Sequence, residues 1–294
     1  MGDKCPNYNI GGQAVIEGVM MRGPELVSVA VRKADGTIDV DTHPATTIRD
    51  KYPLLNKPLL RGVVVLWESL RDGMQALQRS AELSTDGTED EMSAGESIGT
   101  VLIAVLLAVG LFIVVPTASM RFLHTFTEDP LALNLLEGLL RMAIFLAYVV
   151  GISMMEDIRR VFQYHGAEHK TIYTFEAGEE LTVENVRKKS TLHPRCGTNF
   201  LMIVMLISMF VFAFLGWPGL AERILSRILL MPVIAGVSYE IIRFAGNHCD
   251  NPVVHGAILP GLLLQKLTTR EPDDEMMEVA IEAVKAVIPH SACY

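Results

Sequence analysis

The sequence predicts a mainly α-helical, polytopic membrane protein with four transmembrane helices, an interfacial helix and a small N-terminal cytosolic β-rich cap. Apolar residues make up 50% of the 294 residues and the mean hydropathy is +0.33, which favours a membrane protein. The apolar residues are concentrated in runs, and two of these runs carry no charge and exceed the roughly 20 residues that cross a bilayer. Lysine and arginine are unequally distributed between the flanking segments, which indicates an orientation.

Residues 1–57 are predicted to form a cytosolic glycine-rich β cap. Residues 26–32 and 37–41 flank the turn Ala34-Asp35-Gly36, in which glycine accommodates a positive φ, so a hairpin is expected. Just upstream, residues 11–24 contain four glycines. This density is typical either of tight β-turns at a domain edge or of a backbone that docks closely against the candidate metal loop or a ligand.

Residues 58–97 are predicted to form an interfacial amphipathic helix and an acidic linker. Between residues 59 and 83, apolar residues that include Trp67 recur at helical spacing, and charged residues occupy the other face. This helix is too polar to span a bilayer. Two environments remain open for it: the inner membrane surface, with Trp67 at the level of the headgroups, or the protein's own spans.

Four apolar segments predict the membrane spans. The first and third contain no charged side chain until their ends, whereas the second and fourth carry ionisable residues. The segments are residues 97–120, 131–155, 197–221 and 228–245, which give transmembrane hairpins within residues 98–156 and 199–246.

The ionisable residues within the spans need partners, because an unpaired charge in lipid costs several kcal/mol. Glu137 and Arg141 are spaced i,i+4, so a local ion pair is favoured over a transport role. Glu240 has Arg243 as its nearest basic residue, and a role as a polar partner of a functional site stays open for it.

The distribution of basic residues predicts that both termini are cytoplasmic. Ten lysines and arginines precede the first span, seven lie within residues 157–198 and three follow residue 245. The two remaining loops contain only Arg121, and then Arg223 and Arg227. By the positive-inside bias, residues 157–198 form a cytosolic loop and the short turns lie outside.

That cytosolic loop holds four candidate metal ligands, namely His165, His169, His193 and Cys196. On a helix, His165 and His169 lie on one face, and Glu168 lies close enough to share it. The order H-x-x-E-H is typical of inverted zincins, in which two imidazoles hold Zn²⁺ and the glutamate takes a proton from water. Imidazole and thiolate ligands in a reducing cytosol favour zinc.

Three interpretations of these residues remain open. If all four ligands coordinate, the site is closed and structural; if only three do, a position is left for water and Glu168 is the catalytic base. The third interpretation is that the histidines only form hydrogen bonds. Residues 247–294 are predicted to form a re-entrant or interfacial segment and a C-terminal amphipathic helix that begins at Pro272, and they add further ligands that complete the site or compete for it: His248, Cys249, Asp250 and His255.

Four runs in the chain together resemble the YqhQ family of bacterial multi-pass membrane proteins: GQAVIEGVMMR at residues 12–22, YHGAEHK at 164–170, HPRCGTNF at 193–200 and TREPDD at 269–274. The resemblance covers nearly the whole chain. It implies a place in the bacterial plasma membrane and a domain without an assigned function, described only as a predicted metal-dependent enzyme. It implies no substrate.

The sequence therefore supports two main functional hypotheses. The first is a membrane-bound, zinc-dependent hydrolase that acts at the inner leaflet, with Glu168 as base. The alternative is a non-catalytic scaffold or assembly factor whose structural metal organises a cytosolic face for a protein partner. A small transporter is least favoured, because few polar residues lie within the spans. The net charge of −9 argues against nucleic-acid binding, and the sequence does not predict the oligomeric state.

Overall fold

The chain is mainly helical, with one small sheet near its N-terminus. We describe it from a computed structural model that covers residues 10–84, 94–125, 127–246 and 251–288, without the side chains of residues 94–98, 121, 123, 246 and 255. The predicted linker lies mostly outside these residues. So do Cys5, His248, Cys249, Asp250 and Cys293, and so does the side chain of His255.

Four antiparallel strands form the predicted cap, in the order of the chain: β1 (Gly11–Val15), β2 (Gly18–Arg22), β3 (Leu26–Arg32) and β4 (Ile38–Pro44). The predicted hairpin is confirmed as β3–β4, and Gly36 has a φ of 85° in its turn. The glycine-rich run forms the β1–β2 hairpin, in which Val15 pairs with Gly18 across a two-residue turn. The cap is thus a regular meander.

Eleven α-helices occur in the described residues. A 3₁₀ turn (Pro53–Asn56) precedes the second helix, and a π-helical turn (Gly110–Val114) joins the third to the fourth. The helices are α1 (Ile48–Lys51), α2 (Leu60–Ser84), α3 (Ala94–Val109), α4 (Val115–Leu123), α5 (Pro130–Ile152), α6 (Glu156–Glu176), α7 (Val183–Arg187), α8 (Gly197–Ala213), α9 (Leu220–Gly246), α10 (Pro252–Thr268) and α11 (Asp274–Val287).

The sheet lies between two helical layers. Side chains of a strand alternate between faces, so Val19 and Met21 of β2 pack against α6 and α11, whereas Met20 packs on the other face with Ala76 of α2. The Ser28 hydroxyl donates a hydrogen bond of 2.7 Å to the Ala283 carbonyl and fixes α11 on the sheet. One buried core therefore joins the cap to α6, the helix that carries the candidate ligands.

Three helical segments are long and apolar enough to cross a membrane: Gly99–Met120, Pro130–Ile152 and Leu220–Ala245. The third predicted span is shorter than expected, because α8 ends at Ala213 after 17 residues. Gly216 then adopts a φ of 68°, which breaks the helical run. A membrane protein with several apolar helices is confirmed, while the four-span topology and its orientation stay predictions.

The start of the last span corrects the sequence analysis. Helix α9 begins at Leu220 rather than at residue 228. Arg223 and Arg227, expected in a short outer turn, therefore lie within the helix, where they are 7% and 4% exposed. Apolar periodicity missed them because two arginines at i,i+4 interrupt a hydrophobic pattern without interrupting a helix.

Helix α2 turns its polar face towards the protein. The Glu68 carboxylate accepts hydrogen bonds of 2.7 Å from the Thr47 hydroxyl and the Ile48 N–H. Asp72 pairs with Arg22 of β2 and with the neighbouring Arg71. Glu68 and Asp72 are therefore buried and bound by protein groups, most of them from the cap.

The opposite, apolar face of α2 is open. Trp67, Leu70 and Met74 are between 42% and 61% exposed. The first turns of the helix pack on α9, where a Cβ on Gly62 would lie 2.7 Å from the Cβ of Tyr239. The two environments considered for this helix thus apply to different parts of it. One end packs on α9, and the apolar stripe formed by Trp67, Leu70 and Met74 remains uncovered.

Glu137, Arg141 and Glu240, the ionisable residues predicted within the spans, have partners in the structure. Glu137 and Arg141 form the predicted ion pair, at 2.9 Å. Glu240 pairs instead with Arg61 of α2, whose Nε donates to it at 2.6 Å. The suggestion that Glu240 is a polar partner of the candidate site is therefore wrong, because its carboxylate fastens α2 to α9.

Candidate functional site

Helix α6 presents most of the candidate site. Glu156 and Asp157 in its first turn complement the helix dipole, and the stretch from Tyr164 to Thr171 is almost entirely buried. The helix packs on β1, on α11 and on the connection that precedes α8. Side chains on this stretch therefore face protein rather than solvent.

Three of the four predicted ligands lie together. One ligand atom each from His165, His169 and Cys196 falls within 4.8 Å of the other two. The His165 Nε2 is 3.2 Å from the Cys196 Sγ, and the centroids of the two imidazole rings are 4.4 Å apart. We call these three residues the His–Cys cluster.

Backbone carbonyls orient both imidazoles of the cluster. The Nδ1 of His165 lies 2.8 Å from the Thr268 carbonyl oxygen, and the Nδ1 of His169 lies 2.5 Å from that of Thr191. A carbonyl only accepts, so each Nδ1 donates its proton, and in the neutral ring each Nε2 keeps a lone pair that can accept a hydrogen bond or bind a cation. Metal-binding histidines are oriented by the same kind of partner.

The Nε2 of His169 differs from the other ring nitrogens of the cluster in its contacts. His169 is 1% exposed, and this Nε2 has no hydrogen-bond partner within the described ranges. Burial lowers the pKa of His169, and the nearby Cys196 sulfur opposes that shift. A buried lone pair without a donor is costly, so its position calls for an electron-pair acceptor such as a cation.

Cys196 reaches the cluster because it is the N-cap of α8. Its Sγ accepts a hydrogen bond of 3.4 Å from the Thr198 N–H, and the positive end of the helix dipole favours negative charge on the sulfur. The thiol is free, as a ligand requires.

His193 lies beside the cluster but is not part of it. Its Nδ1 accepts a hydrogen bond of 3.3 Å from the Arg195 N–H, and its Nε2 lies 3.4 Å from the Glu176 carboxylate. Burial lowers the pKa of His193 to about 4. The closed four-ligand arrangement considered from the sequence therefore lacks this residue in the described geometry, since both ring nitrogens face other partners.

Glu168 is buried next to the glycine-rich hairpin. Burial raises the pKa of its carboxyl group, while the charges of His165 and His193 and a hydrogen bond from the Gly12 N–H oppose the shift. A Cβ on Gly12 would lie 3.1 Å from the Glu168 Cδ and 2.7 Å from the Met20 carbonyl oxygen. Glycine is therefore needed where β1 approaches α6, so the glycine-rich run docks against the helix that bears the candidate ligands.

Two buried amides that the sequence analysis missed hold the segment before α8. Gln265 of α10 accepts from the His193 N–H and donates to the His193 carbonyl, both at 2.8 Å. It also donates to the Asn199 side chain at 2.9 Å, and Asn199 donates to the Pro194 carbonyl at 2.5 Å. Gln265 belongs to no sequence motif, so its role was not predicted. A polar residue within the apolar segment of residues 252–267 was the signal that could have identified it.

Lys170 is a second buried residue without a sequence-based role. It is 3% exposed, its Nζ donates to the Arg187 carbonyl at 3.0 Å, and it pairs with Glu271. One turn before it, Gly166 lies directly against the Arg270 carbonyl. The connection between α10 and α11 is thus fastened along α6.

The four runs that carried the family resemblance consequently meet at one place. The hairpin of residues 12–22 covers Glu168, residues 164–170 form the centre, residues 193–200 supply Cys196, and residues 269–274 cover Gly166. Runs that lie up to 250 residues apart in the sequence thus share one neighbourhood in the structure. Such a gathering of distant runs is expected of a functional site rather than of a core.

Comparisons with known proteins confirm the family resemblance. The family model described as "Protein of unknown function (DUF1385)" matches residues 57–290. The "Uncharacterized protein YqhQ" of Bacillus subtilis (strain 168) is 37% identical over 299 residues, which cover 95% of this chain and 92% of that protein. No solved structure matches the chain. The chain therefore belongs to the DUF1385 family, together with the YqhQ protein that it resembles.

Proposed function

We propose that this protein is a zinc-dependent hydrolase of the bacterial plasma membrane that acts on a substrate at the cytosolic leaflet. The observation that carries the proposal is the His–Cys cluster, in which three donor atoms converge and the buried His169 Nε2 has no partner in the described part of the chain. His165, His169 and Cys196 are the proposed zinc ligands.

The donor set fits zinc. Two imidazole nitrogens and one thiolate are ligands that Zn²⁺ prefers, and the thiolate argues against magnesium or calcium. Catalytic zinc sites have three protein ligands and an open position, whereas structural sites have four. When bound, zinc supplies Lewis-acid chemistry and lowers the pKa of water.

Glu168 is the proposed proton acceptor. It is one residue from His169, and its carboxyl interacts electrostatically with the His165 ring. The Gly12 N–H holds the carboxyl from the other side. A carboxylate so restrained takes a proton from water without a change of rotamer, which is the role of the glutamate in H-x-x-E-H sites.

The exposed stripe of α2 supports a place at the inner leaflet. Trp67, Leu70 and Met74 form an uncovered apolar face on a helix whose acidic face is bound by the cap. Such a helix rests in the headgroup region, and tryptophan is favoured there. With cytoplasmic termini and α8 as a fourth crossing, the His–Cys cluster lies directly beneath that leaflet.

A structural zinc site is the second candidate, and the burial of the cluster favours it. His169 is only 1% exposed, and the three ligands join α6 to the first residue of α8. A cation there would fasten the cytosolic layer to the membrane helices. In this case the protein is a scaffold, and Glu168 has no chemical role.

Cobalt substitution distinguishes the two candidates without a known substrate. The full chain in detergent is loaded with Co²⁺, and acetohydroxamate is added as a probe ligand. A site with an open position changes its visible d–d spectrum on addition of the probe, whereas a closed site does not. Thiolate-to-cobalt charge transfer that disappears in Cys196→Ser identifies the sulfur ligand.

Matched variants complete the experiment. His165→Ala and His169→Ala should lose bound zinc, while His193→Ala should retain it because that ring faces Glu176. Glu168→Gln should retain zinc, and cells that carry it should accumulate the same uncleaved compound as cells without the protein, as measured by untargeted mass spectrometry of lipids and peptides. Normal cells with Glu168→Gln and an unresponsive cobalt spectrum would establish the structural candidate instead.

A further inference from the structure

A second polar cluster lies at the far end of the helix bundle from the His–Cys cluster. Cys196 begins α8, whereas Phe212 lies at its other end, about 24 Å away at 1.5 Å per residue. The guanidinium groups of Arg141 and Arg227 lie over the Phe212 ring, at 5.6 and 5.3 Å from its centroid. The two clusters are therefore separate.

One carboxylate lies among three arginines at this end. Glu137 is 0% exposed and pairs with Arg141 at 2.9 Å and with Arg227 at 2.6 Å. The Thr117 hydroxyl donates to the same carboxylate oxygen at 2.8 Å. Arg223 lies one turn before Arg227 on α9 and adds a third positive charge. The formal sum of these four ionisable side chains is two positive charges in a nearly dry environment.

Arg223 makes no ion pair with any residue that the structure describes. It is 7% exposed, yet its Nε and Nη1 are without hydrogen-bond partners in the ranges that the structure describes. The Trp217 ring stacks on its guanidinium, 3.9 Å from the centroid. Neighbouring acids do not compensate: Glu222 is exposed and makes no ion pair with it, and the Asp129 side chain caps its own helix.

We infer that Arg223, stacked on Trp217 and one turn from Arg227, forms a binding site for a phosphate group. Buried guanidinium donors are costly to leave unpaired, and a planar guanidinium matches the oxygens of phosphate. The Trp217 ring covers one face of the Arg223 guanidinium, and the Nε and Nη1 donors have no described partner. Arg223 is three residues from the start of α9, at headgroup depth, so the phosphate belongs either to a lipid headgroup or to a free anion.

Trp217 offers a direct measurement of binding. The chain has two tryptophans, so Trp67→Phe leaves Trp217 as the single emitter in the full-length protein. The detergent-purified protein is titrated with inorganic phosphate in one arm and with dihexanoyl phosphatidylglycerol in the other. Native mass spectrometry of the same samples counts bound phosphate or lipid independently of the fluorescence.

We expect a saturable change in Trp217 emission, and a loss of affinity of about tenfold or more in Arg223→Gln. Arg223→Lys keeps the positive charge but lacks the forked arrangement of guanidinium donors. Its affinity should lie between those of the parent protein and of Arg223→Gln. Arg243→Gln, an exposed arginine at the other end of α9, is the matched control and should bind as the parent does.

A response to phosphatidylglycerol alone identifies a lipid headgroup, and a response to inorganic phosphate that competes with the lipid identifies a free anion; both support the site. Equal affinity in Arg223→Gln and Arg243→Gln overturns it. So does the absence of a saturable response and of bound adducts in both arms. None of these outcomes depends on zinc binding at the other end of the bundle.

Discussion

The contact of Gly166 with the α10–α11 connection makes a quantitative prediction about how the His–Cys cluster is held. A Cβ at residue 166 would overlap the Arg270 carbonyl oxygen and lie 3.2 Å from its carbonyl carbon. These atoms are backbone, so the connection has to move as a unit. Overpacking of this kind costs about 1–3 kcal/mol.

Gly197 provides the matched control for Gly166→Ala. It is also a helical glycine beside a cluster residue, but a Cβ there meets nothing within 4 Å. Both alanine variants gain the same kind of helix propensity, at most about 1 kcal/mol, so the difference between them isolates the overlap. We expect the melting temperature of Gly166→Ala to lie roughly 2–12 °C below that of Gly197→Ala.

The same displacement reaches the cluster through Thr268. Its carbonyl accepts from the His165 Nδ1 at 2.8 Å and immediately precedes the displaced connection. Loss of such an outer partner lowers metal affinity about 10- to 100-fold. Zinc titration with a competing chelator measures this effect. Equal melting temperatures and equal zinc affinities in Gly166→Ala and Gly197→Ala would refute the reasoning.

Four further substitutions test other contacts. Cys196→Ser should abolish zinc binding at equimolar metal, measured by elemental analysis, because a hydroxyl is a poor zinc ligand at neutral pH. Arg227→Gln should destabilise the protein by about 1–3 kcal/mol, since it removes a charged hydrogen-bond partner of Glu137. Arg223→Gln should destabilise the protein less than Arg227→Gln does without added anion, because no described ion pair is lost, and thermal melting compares the two. Leu70→Glu should weaken the binding of the detergent-free protein to vesicles, as measured by flotation, without lowering its zinc content. An unchanged flotation would contradict the interfacial position of α2.

Elements whose structure depends on nearby residues were predicted correctly from local sequence patterns. The β3–β4 hairpin followed from turn chemistry at Gly36, and α11 followed from Pro272 and the acids of its first turn. The i,i+4 spacing also predicted the pair between Glu137 and Arg141. In each case the partners are within a few residues, so sequence distance and spatial distance coincide.

Long-range partners were not predictable in the same way. Spacing alone made His193 as good a ligand as Cys196, but the direction of its ring depends on Glu176 and on the Arg195 N–H. The start of helix α9 was predicted eight residues too late because Arg227 was counted as a loop residue, although Glu137 on another helix neutralises it. A sequence pattern contains the charge but not the partner that buries it.

The His–Cys cluster lies between two parts of the molecule, the sheet with its packed helices and the apolar helix α8. His165 and His169 belong to a helix whose neighbours are the sheet and α11, while Cys196 is the first residue before an apolar helix. A cation held by all three would therefore bridge the layer formed by the sheet, α6 and α11 and the apolar helix α8. Gln265 and Asn199 bind the backbone just before Cys196, so the sulfur cannot move away without breaking buried amide hydrogen bonds. The three side chains are thus positioned by protein contacts alone, which would lower the entropic cost of binding a cation and would favour a site with fixed geometry over one assembled by the ion.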